Sequence, residues 1–162
     1  MNVHKVSIIC PVYNEEKFID RCILSILAQD YPKDSLEVLM IDGRSTDRTR
    51  ELIEKYTNEY SYIRLLDNPQ QVVPYALNKG VKESTGEVVI RIDGHCEYPT
   101  NYVSELVRYL YELNADNVGG VWNTQPAKDT AICQAIALAS SHPLGVGGSM
   151  HKIGASDIME TD

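Results

Sequence analysis

Residues 6–16 read VSIICPVYNEE, an apolar and β-branched run that stops at a proline and then turns polar. A short run of this kind predicts a buried strand, here over residues 5–10. Apolar side chains then recur at helical spacing and predict a helix over residues 15–28. A buried strand that leads directly into an amphipathic helix is typical of an α/β domain, so we expect this stretch to open a parallel sheet.

The alternation of strand and helix continues along the chain. Further strands are predicted over residues 36–41, 62–66, 87–92 and 117–122, and further helices over 73–84, 102–113 and 130–139. Another helix, capped by Ser45 or Thr46, is predicted to run to about residue 58. The predicted fold class is therefore α/β, a mostly parallel open sheet with helices on both faces.

The end of the chain has a different character. Residues 142–162 show no clear periodicity, and a compact domain seldom ends in a long structureless segment. We therefore expect one α/β domain over residues 1–141. Residues 142–162 are expected to be an irregular segment that leads to a further part missing from this chain.

The composition limits the class of protein. A chain of 162 residues suits one domain, and 43% hydrophobic residues exclude a collagen-like or wholly disordered chain. The 15 basic and 23 acidic residues give a formal charge of −8, which disfavours a general nucleic-acid binder. A phosphate ester would then need local amides or a divalent cation to offset the repulsion.

The cysteines and the apolar runs bear on location. The four cysteines, at positions 10, 22, 96 and 133, form no Cys-x-x-Cys pair and have no zinc-ligand spacing, which favours free thiols in a reducing compartment. No run approaches about 18 apolar residues, and no secretory signal is visible. We expect a cytoplasmic protein that reaches the inner face of a membrane only through a segment outside this chain.

Conspicuous polar groups follow three of the predicted strands. They are PVYNE at 11–15, DGRSTD at 42–47 and DGH at 93–95. Because ligands bind beyond the carboxyl ends of parallel strands, these loops are expected to meet at one cleft. The first loop lacks both G-x-G-x-x-G and G-x-x-x-x-G-K-[ST], which disfavours a dinucleotide site and a Walker-type ATPase.

Each of the first two loops also has an ordinary structural interpretation. Pro11 ends a strand and Asn14 caps the next helix, while Asp42 and Asp47 suit a turn and a first helical turn. The third loop carries more chemistry, since Asp93 and His95 flank a glycine and can reach one small volume. A carboxylate with an imidazole suits Mn²⁺ better than Mg²⁺, and such an ion would neutralise a diphosphate.

Four segments in this order resemble the family 2 glycosyltransferases of GT-A fold. They are VSIICPVYNEE at 6–16, VLMIDGRSTDRT at 38–49, ALNKG at 76–80 and GEVVIRIDGH at 86–95. They are similar to the family's P-x-Y-N-E loop, D-[DG]-x-S-x-D-x-T turn, A-x-N-x-G helix and D-x-D strand. Residues 142–149 also resemble bacterial members that build exopolysaccharide.

The resemblance implies a nucleotide-diphospho-sugar donor, with UDP as the default, a divalent cation, and a saccharide or lipid-linked acceptor. Residues 1–141 would then be the nucleotide-sugar-binding domain. The positions implied for the nucleotide are Pro11, Tyr13, Glu15, Asp42, Asn78, Lys79, Asp93 and Gly94. Asp93 and His95 would bind the metal. His95 replaces the usual second aspartate of D-x-D, which favours Mn²⁺ over Mg²⁺.

The resemblance also implies that the catalytic base is not among these residues. The family's general base is a carboxylate in the acceptor-binding part, expected beyond Asp162, where it would deprotonate the acceptor for an inverting transfer. Glu160 and Asp162 receive no catalytic role.

Three alternatives to a glycosyltransferase remain. One is a nucleotide-binding module without turnover. Another is a sugar-nucleotide pyrophosphorylase, a class that would need a Gly- and Arg-rich loop after the first strand. The third is a phospho-acceptor domain using Asp42 or Asp93, which leaves the Asn78 helix and His95 unexplained.

Overall fold

The structure is a computed structural model that describes residues 3–147, 149–154 and 158–159. The chain divides into two compact units, of which the first ends at Tyr111 and the second begins at Glu112. The domain boundary predicted after residue 141 stays a prediction. Glu160 and Asp162 lie outside the described residues.

The first unit contains a four-stranded parallel sheet. Its strands are β1 (Val6–Val12), β2 (Leu36–Asp42), β3 (Ile63–Asp67) and β4 (Val88–Arg91), in the order β3-β2-β1-β4. Val12 lies opposite Asp42, and Asp42 lies opposite Asp67. The carboxyl ends of three neighbouring strands are therefore level, and the loops that follow them begin side by side.

Helices cover both faces of this sheet. They are α1 (Ile19–Leu27), α2 (Thr49–Glu59), α3 (Val73–Glu83) and α4 (Tyr102–Glu112). Because side chains alternate along a strand, Ile8 and Cys10 join the buried cluster that includes α1, α2 and α4, whereas Ile9 packs with Ala76 of α3. The predicted α/β class, a mostly parallel sheet with helices on both faces, is confirmed.

The predicted fifth strand is wrong. Residues 117–122 have no regular secondary structure in the described chain, and all their side chains are at least partly exposed. A strand needs a neighbouring edge to pair its N–H and C=O groups. Sequence alternation alone does not supply that edge.

The second unit is described by shorter elements. They are α5 (Ala131–Ser141), α6 (Pro143–Val146) and a 3-10 turn over Met150–Lys152. The α5 helix confirms the one predicted over 130–139, and the Thr130 side chain caps it by accepting the Cys133 N–H. Among the described residues, we find no helix with the length and apolar character needed to cross a membrane.

Candidate functional site

A cavity of about 210 Å³ lies where β1, β2 and β4 end. Six of the residues predicted for nucleotide or metal line it: Pro11, Tyr13, Glu15, Asp93, Gly94 and His95. The opposite wall comes from the segment after β3 and the start of α3, with Asn68, Val72 and Ala76. The first and third polar loops thus meet at one cavity, which the second loop reaches through Gly43.

Asn14 joins the first loop to the second. Its backbone N–H donates to Ser45 Oγ at 2.9 Å, and its Oδ1 accepts the Thr46 N–H at 2.8 Å. Its φ of 56° is left-handed, a conformation that asparagine tolerates better than most residues. The predicted helix cap is wrong, because the chain turns here and α1 begins only at Ile19, after Phe18.

Ser45 and Thr46 are not helix caps either. Their polar groups are used by Asp42 and Asn14, and α2 begins later, at Thr49. The Thr49 N–H donates instead to Asp47 Oδ1 at 2.9 Å. Desolvation acts to raise the pKa of Asp47, but the hydrogen bonds that its carboxylate accepts from Thr49 and Glu16 outweigh this effect and lower the pKa. The prediction that Asp47 lies in the first turn of this helix is wrong, because Asp47 precedes the N-cap residue Arg48 and α2 begins at Thr49.

Asp42 is fully buried beneath the cavity and does not line it. Its carboxylate accepts the Ser45 hydroxyl at 2.6 Å, the Ser45 N–H at 3.2 Å and the Arg50 guanidinium at 3.4 Å. These bonds fix the turn that carries Gly43. To accept an N–H from a base, this buried carboxylate would first have to become accessible.

Tyr13 supplies an aromatic surface at the cavity. The ring is about half exposed and lies so close to Gly43 that a Cβ there would be 3.3 Å from its Cδ2. Val72 and Val73 present apolar groups on the opposite wall and are similarly exposed. This part of the cavity suits a flat, partly apolar group such as a nucleoside base.

The third loop collects ligands for a cation. Asp93, His95 and Cys96 each offer one possible ligand atom, and these three atoms lie within 4.8 Å of one another. Asp93 accepts two hydrogen bonds from Arg91, both on Oδ1, at 3.1 and 3.2 Å. His95 Nδ1 lies 3.0 Å from Glu15 Oε1, a contact that orients the ring and leaves the other nitrogen for an ion.

Gly94 allows this loop to approach β1. A Cβ at Gly94 would lie 2.8 Å from Val12 Cγ1 and 3.6 Å from Glu15 Cγ. The glycine predicted to contact nucleotide is therefore required for packing, whichever ligand the cavity holds.

Tyr98 holds the backbone of the same loop. Its hydroxyl accepts the Asp93 N–H at 2.8 Å, and its ring packs against Tyr102 with centroids 4.9 Å apart. Burial raises the pKa of Tyr98 well above its usual value, partly offset by this hydrogen bond. The hydroxyl is therefore protonated at neutral pH.

The two residues predicted on α3 lie away from the described cavity. Asn78 is exposed, and Lys79 donates to the Asp67 carbonyl at 2.7 Å. The small residues of the same motif, Ala76 and Gly80, are buried, and a Cβ at Gly80 would overlap the Ile9 side chain. Packing of α3 on the sheet explains this half of the motif, while nucleotide contacts of Asn78 and Lys79 stay predictions.

Sequence reasoning missed four groups at this site: Asn68, Arg91, Cys96 and Tyr98. Asn68 is buried beside the cavity, and its N–H donates to the Asp42 carbonyl at 2.7 Å. It directly follows β3, so the rule that singled out polar groups at strand ends would have found it. Cys96 and Tyr98 adjoin the DGH loop, but nothing local reveals that they turn back towards Asp93.

Comparisons with known proteins agree on one family. Residues 7–143 match the family model described as glycosyl transferase family 2. A glycosyltransferase named AglE from Haloferax volcanii is 34% identical over 128 residues, covering 78% of this chain and 42% of that protein. The succinoglycan biosynthesis protein ExoA of Rhizobium meliloti is 34% identical over 150 residues, covering 91% and 44%. The chain thus spans about two fifths of the curated relatives that it matches.

Solved structures share the fold. Residues 1–349 of TarS from S. aureus, in complex with UDP-GlcNAc, give a TM-score of 0.63 at 26% identity, covering 76% of this chain and 38% of that one. The mannosyltransferase PcManGT from Pyrobaculum calidifontis, in complex with GDP-Man and Mn²⁺, gives 0.67 at 26% identity, covering 87% and 41%.

Proposed function

Because the chain belongs to glycosyl transferase family 2, we propose that its first unit binds the nucleotide-diphospho-sugar donor of an inverting glycosyl transfer. The observation that carries this proposal is the meeting of three polar loops at one cavity. The cavity combines an aromatic and apolar wall with a carboxylate and an imidazole, which are the groups that a base and a cation-bound diphosphate would need.

The proposed donor is a UDP-sugar, with GDP and dTDP as the competing nucleotides. The cavity, at about 210 Å³, is smaller than the roughly 300–1,000 Å³ of a site that encloses a whole small molecule. It would therefore hold the nucleoside alone, between Tyr13 and the apolar wall, with Pro11 and Glu15 beside it. Asp42 would contact the base only if its buried carboxylate became accessible, and Asn78 and Lys79 would contact the donor from outside this cavity.

Asp93 and His95 would bind the divalent cation. Their ligand atoms lie close enough for one ion, and Glu15 keeps the imidazole oriented. When bound, the ion neutralises the departing diphosphate, which the formal charge of −8 would otherwise repel. A site of one imidazole and one carboxylate favours Mn²⁺ over Mg²⁺.

The proposed reaction also needs an acceptor hydroxyl and a base that deprotonates it. A carboxylate beyond Asp162 would take the proton from an acceptor hydroxyl as that oxygen attacks the anomeric carbon. Residues 142–162 would lead to that acceptor-binding part. The acceptor would be a saccharide or a lipid-linked saccharide in exopolysaccharide or glycoconjugate synthesis, and the site of action would be cytoplasmic, at the inner face of the membrane.

Calorimetric titration tests the donor site. UDP, GDP and dTDP are titrated with and without Mn²⁺ into this chain and into Asp93→Ala and His95→Ala. Asp116→Ala, which removes an exposed carboxylate from the second unit, is the matched control. We expect one nucleotide to bind in a Mn²⁺-dependent way, both site variants to lose that binding, and the control to keep it.

Two outcomes contradict the proposal. Binding that ignores Mn²⁺ and survives His95→Ala overturns the metal assignment but leaves the nucleotide site. An absence of binding for all three nucleotides overturns the donor site in this chain.

A further inference from the structure

Cys96 brings a sulfur atom to the third loop. Its Sγ, a carboxylate oxygen of Asp93 and a ring nitrogen of His95 lie within 4.8 Å of one another. The proposed function uses only the last two of these groups. The thiol is half-buried and the imidazole is exposed, so the set opens to solvent on the side of His95.

The spacing suits a single small cation. A tetrahedral zinc ion has bonds of about 2.3 Å to sulfur and 2.0–2.2 Å to nitrogen or oxygen, which places its ligand atoms roughly 3.3–3.7 Å apart. Atoms that lie up to 4.8 Å apart therefore need to approach by at most about 1.1–1.5 Å. The exposed His95 side chain can rotate to bring its ring nitrogen closer to the other two ligand atoms.

Neighbouring groups already hold two of the three ligands. Glu15 Oε1 lies 3.0 Å from His95 Nδ1, which is the carboxylate–imidazole pairing that commonly supports a metal-bound histidine. Arg91 contacts only Oδ1 of Asp93, and Tyr98 accepts the Asp93 N–H. The second carboxylate oxygen faces no partner among these contacts and is available to an ion.

We propose that Cys96 is a third protein ligand at this site and makes it bind Zn²⁺ more tightly than Asp93 and His95 would alone. The inference rests on the proposed function only for Asp93 and His95 as cation ligands. Thiolate is a soft ligand that selects zinc, whereas Mg²⁺ and Mn²⁺ prefer oxygen. Zn²⁺ would then compete with the ion that supports donor binding.

Cobalt absorption tests this directly, because a thiolate bound to Co²⁺ gives a charge-transfer band in the near ultraviolet that oxygen and nitrogen ligands do not give. Co²⁺ is titrated into the 162-residue chain, into Cys96→Ser and into Cys133→Ser, a matched variant in α5. We expect the band in the unchanged chain and in Cys133→Ser, its loss in Cys96→Ser, and its disappearance when Zn²⁺ is added.

Affinities provide the second measurement. Competition with a chromophoric chelator should show that Cys96→Ser weakens Zn²⁺ binding roughly tenfold or more, since losing even an outer-sphere partner costs about 10–100-fold. Mn²⁺ binding should change far less. Cys96→Ala, checked for folding by circular dichroism, must reproduce the loss.

Three results would overturn the inference: no cobalt band in the unchanged chain, a band that persists in Cys96→Ser, or an equal loss of Zn²⁺ affinity in Cys133→Ser. The nucleotide titration separates this failure from that of the proposed function. Mn²⁺-dependent nucleotide binding without a cobalt band overturns only the role of Cys96. A cobalt band without any nucleotide binding overturns only the donor site.

Discussion

Asn14 shows how a single residue organises two loops of the site. Its backbone conformation turns the chain out of β1, and its amide oxygen accepts the Thr46 N–H from the loop after β2. Tyr13 and Glu15, which line the cavity, flank it on either side. The left-handed turn and this side-chain hydrogen bond therefore help to position both cavity residues, together with the bond from the Glu15 N–H to Thr49 Oγ1.

Substitutions at Asn14 should separate these two effects. Asn14→Gly loses the bond to Thr46 but also relieves the strain of a Cβ in the left-handed conformation, so two effects of about 1 kcal/mol each should nearly cancel in the free energy of unfolding. Asn14→Ala loses the same bond and keeps a Cβ in that conformation, so it should lower the free energy of unfolding by about 1 kcal/mol. Urea unfolding measures both. A glycine variant no more stable than the alanine variant would contradict a role for the backbone turn.

Tyr98 is a positioning residue for Asp93. Tyr98→Phe removes the acceptor of the Asp93 N–H and should weaken Mn²⁺ binding by roughly 10-fold, as loss of a supporting partner does at metal sites. Calorimetric titration with Mn²⁺ checks this. Tyr102→Phe, which removes a hydroxyl from the adjacent ring, is the control and should bind Mn²⁺ normally; equal losses in the two variants would point to a general loosening of the loop.

At the scale of the elements, one carboxylate ties the strands together at the end of the sheet opposite the cavity. Glu37 of β2 accepts the Ser7 hydroxyl of β1 at 2.6 Å, the Thr85 N–H before β4 at 3.0 Å and the Arg64 guanidinium of β3 at 3.2 Å. Burial acts to raise the pKa of Glu37, but these hydrogen bonds outweigh it and hold the pKa below 4.5. The ionised form is therefore the one that the fold stabilises.

This pKa shift predicts a pH dependence of stability. Because the folded pKa is lowered, the contribution of Glu37 is complete above about 4.5, the usual value, and is lost as the pH falls through the folded pKa. Glu37→Gln should lower the free energy of unfolding at pH 7 by about 1.5–3 kcal/mol, as for bonds to a charged group. The difference from the unchanged chain should shrink below pH 4.5.

Urea unfolding between pH 7 and pH 3 measures that difference. Glu59→Gln, at the exposed end of α2, is the control and should stay within about 0.5 kcal/mol of the unchanged chain. A loss for Glu37→Gln that is constant over this pH range would show that the charge of Glu37 is not the cause.

At the scale of the whole molecule, ligand binding should be visible as stability. A ligand that binds only the folded state stabilises it by about 2.7 kcal/mol at a concentration 100 times its Kd. For a chain of this length that corresponds to roughly 5–11 °C in Tm. Circular dichroism during heating, with the nucleotide and Mn²⁺ together, should show this increase. Asp93→Ala should show none, and an equal increase in that variant would place the ligand elsewhere.

The four segments taken together indicated more about the protein than any single motif did. Four segments in order indicated the family and the α/β class, because strand and helix periodicity and the residues at strand ends are local properties of the chain. The same local signals predicted six residues that line the cavity, including Tyr13, Asp93 and His95. Their contacts with nucleotide and metal stay predictions.

The sequence by itself determined four of the five predicted strands, the helices between them and the polar groups that follow the strands, since these depend on neighbours in the chain. Only the tertiary structure decided that Asn14 bonds Thr46 rather than capping a helix, that Asp42 is buried below the cavity, and that residues 117–122 do not join the sheet. The reason is that a hydrogen bond or a sheet edge joins residues distant in sequence. The register and packing of the elements decide which distant residue or strand becomes the partner.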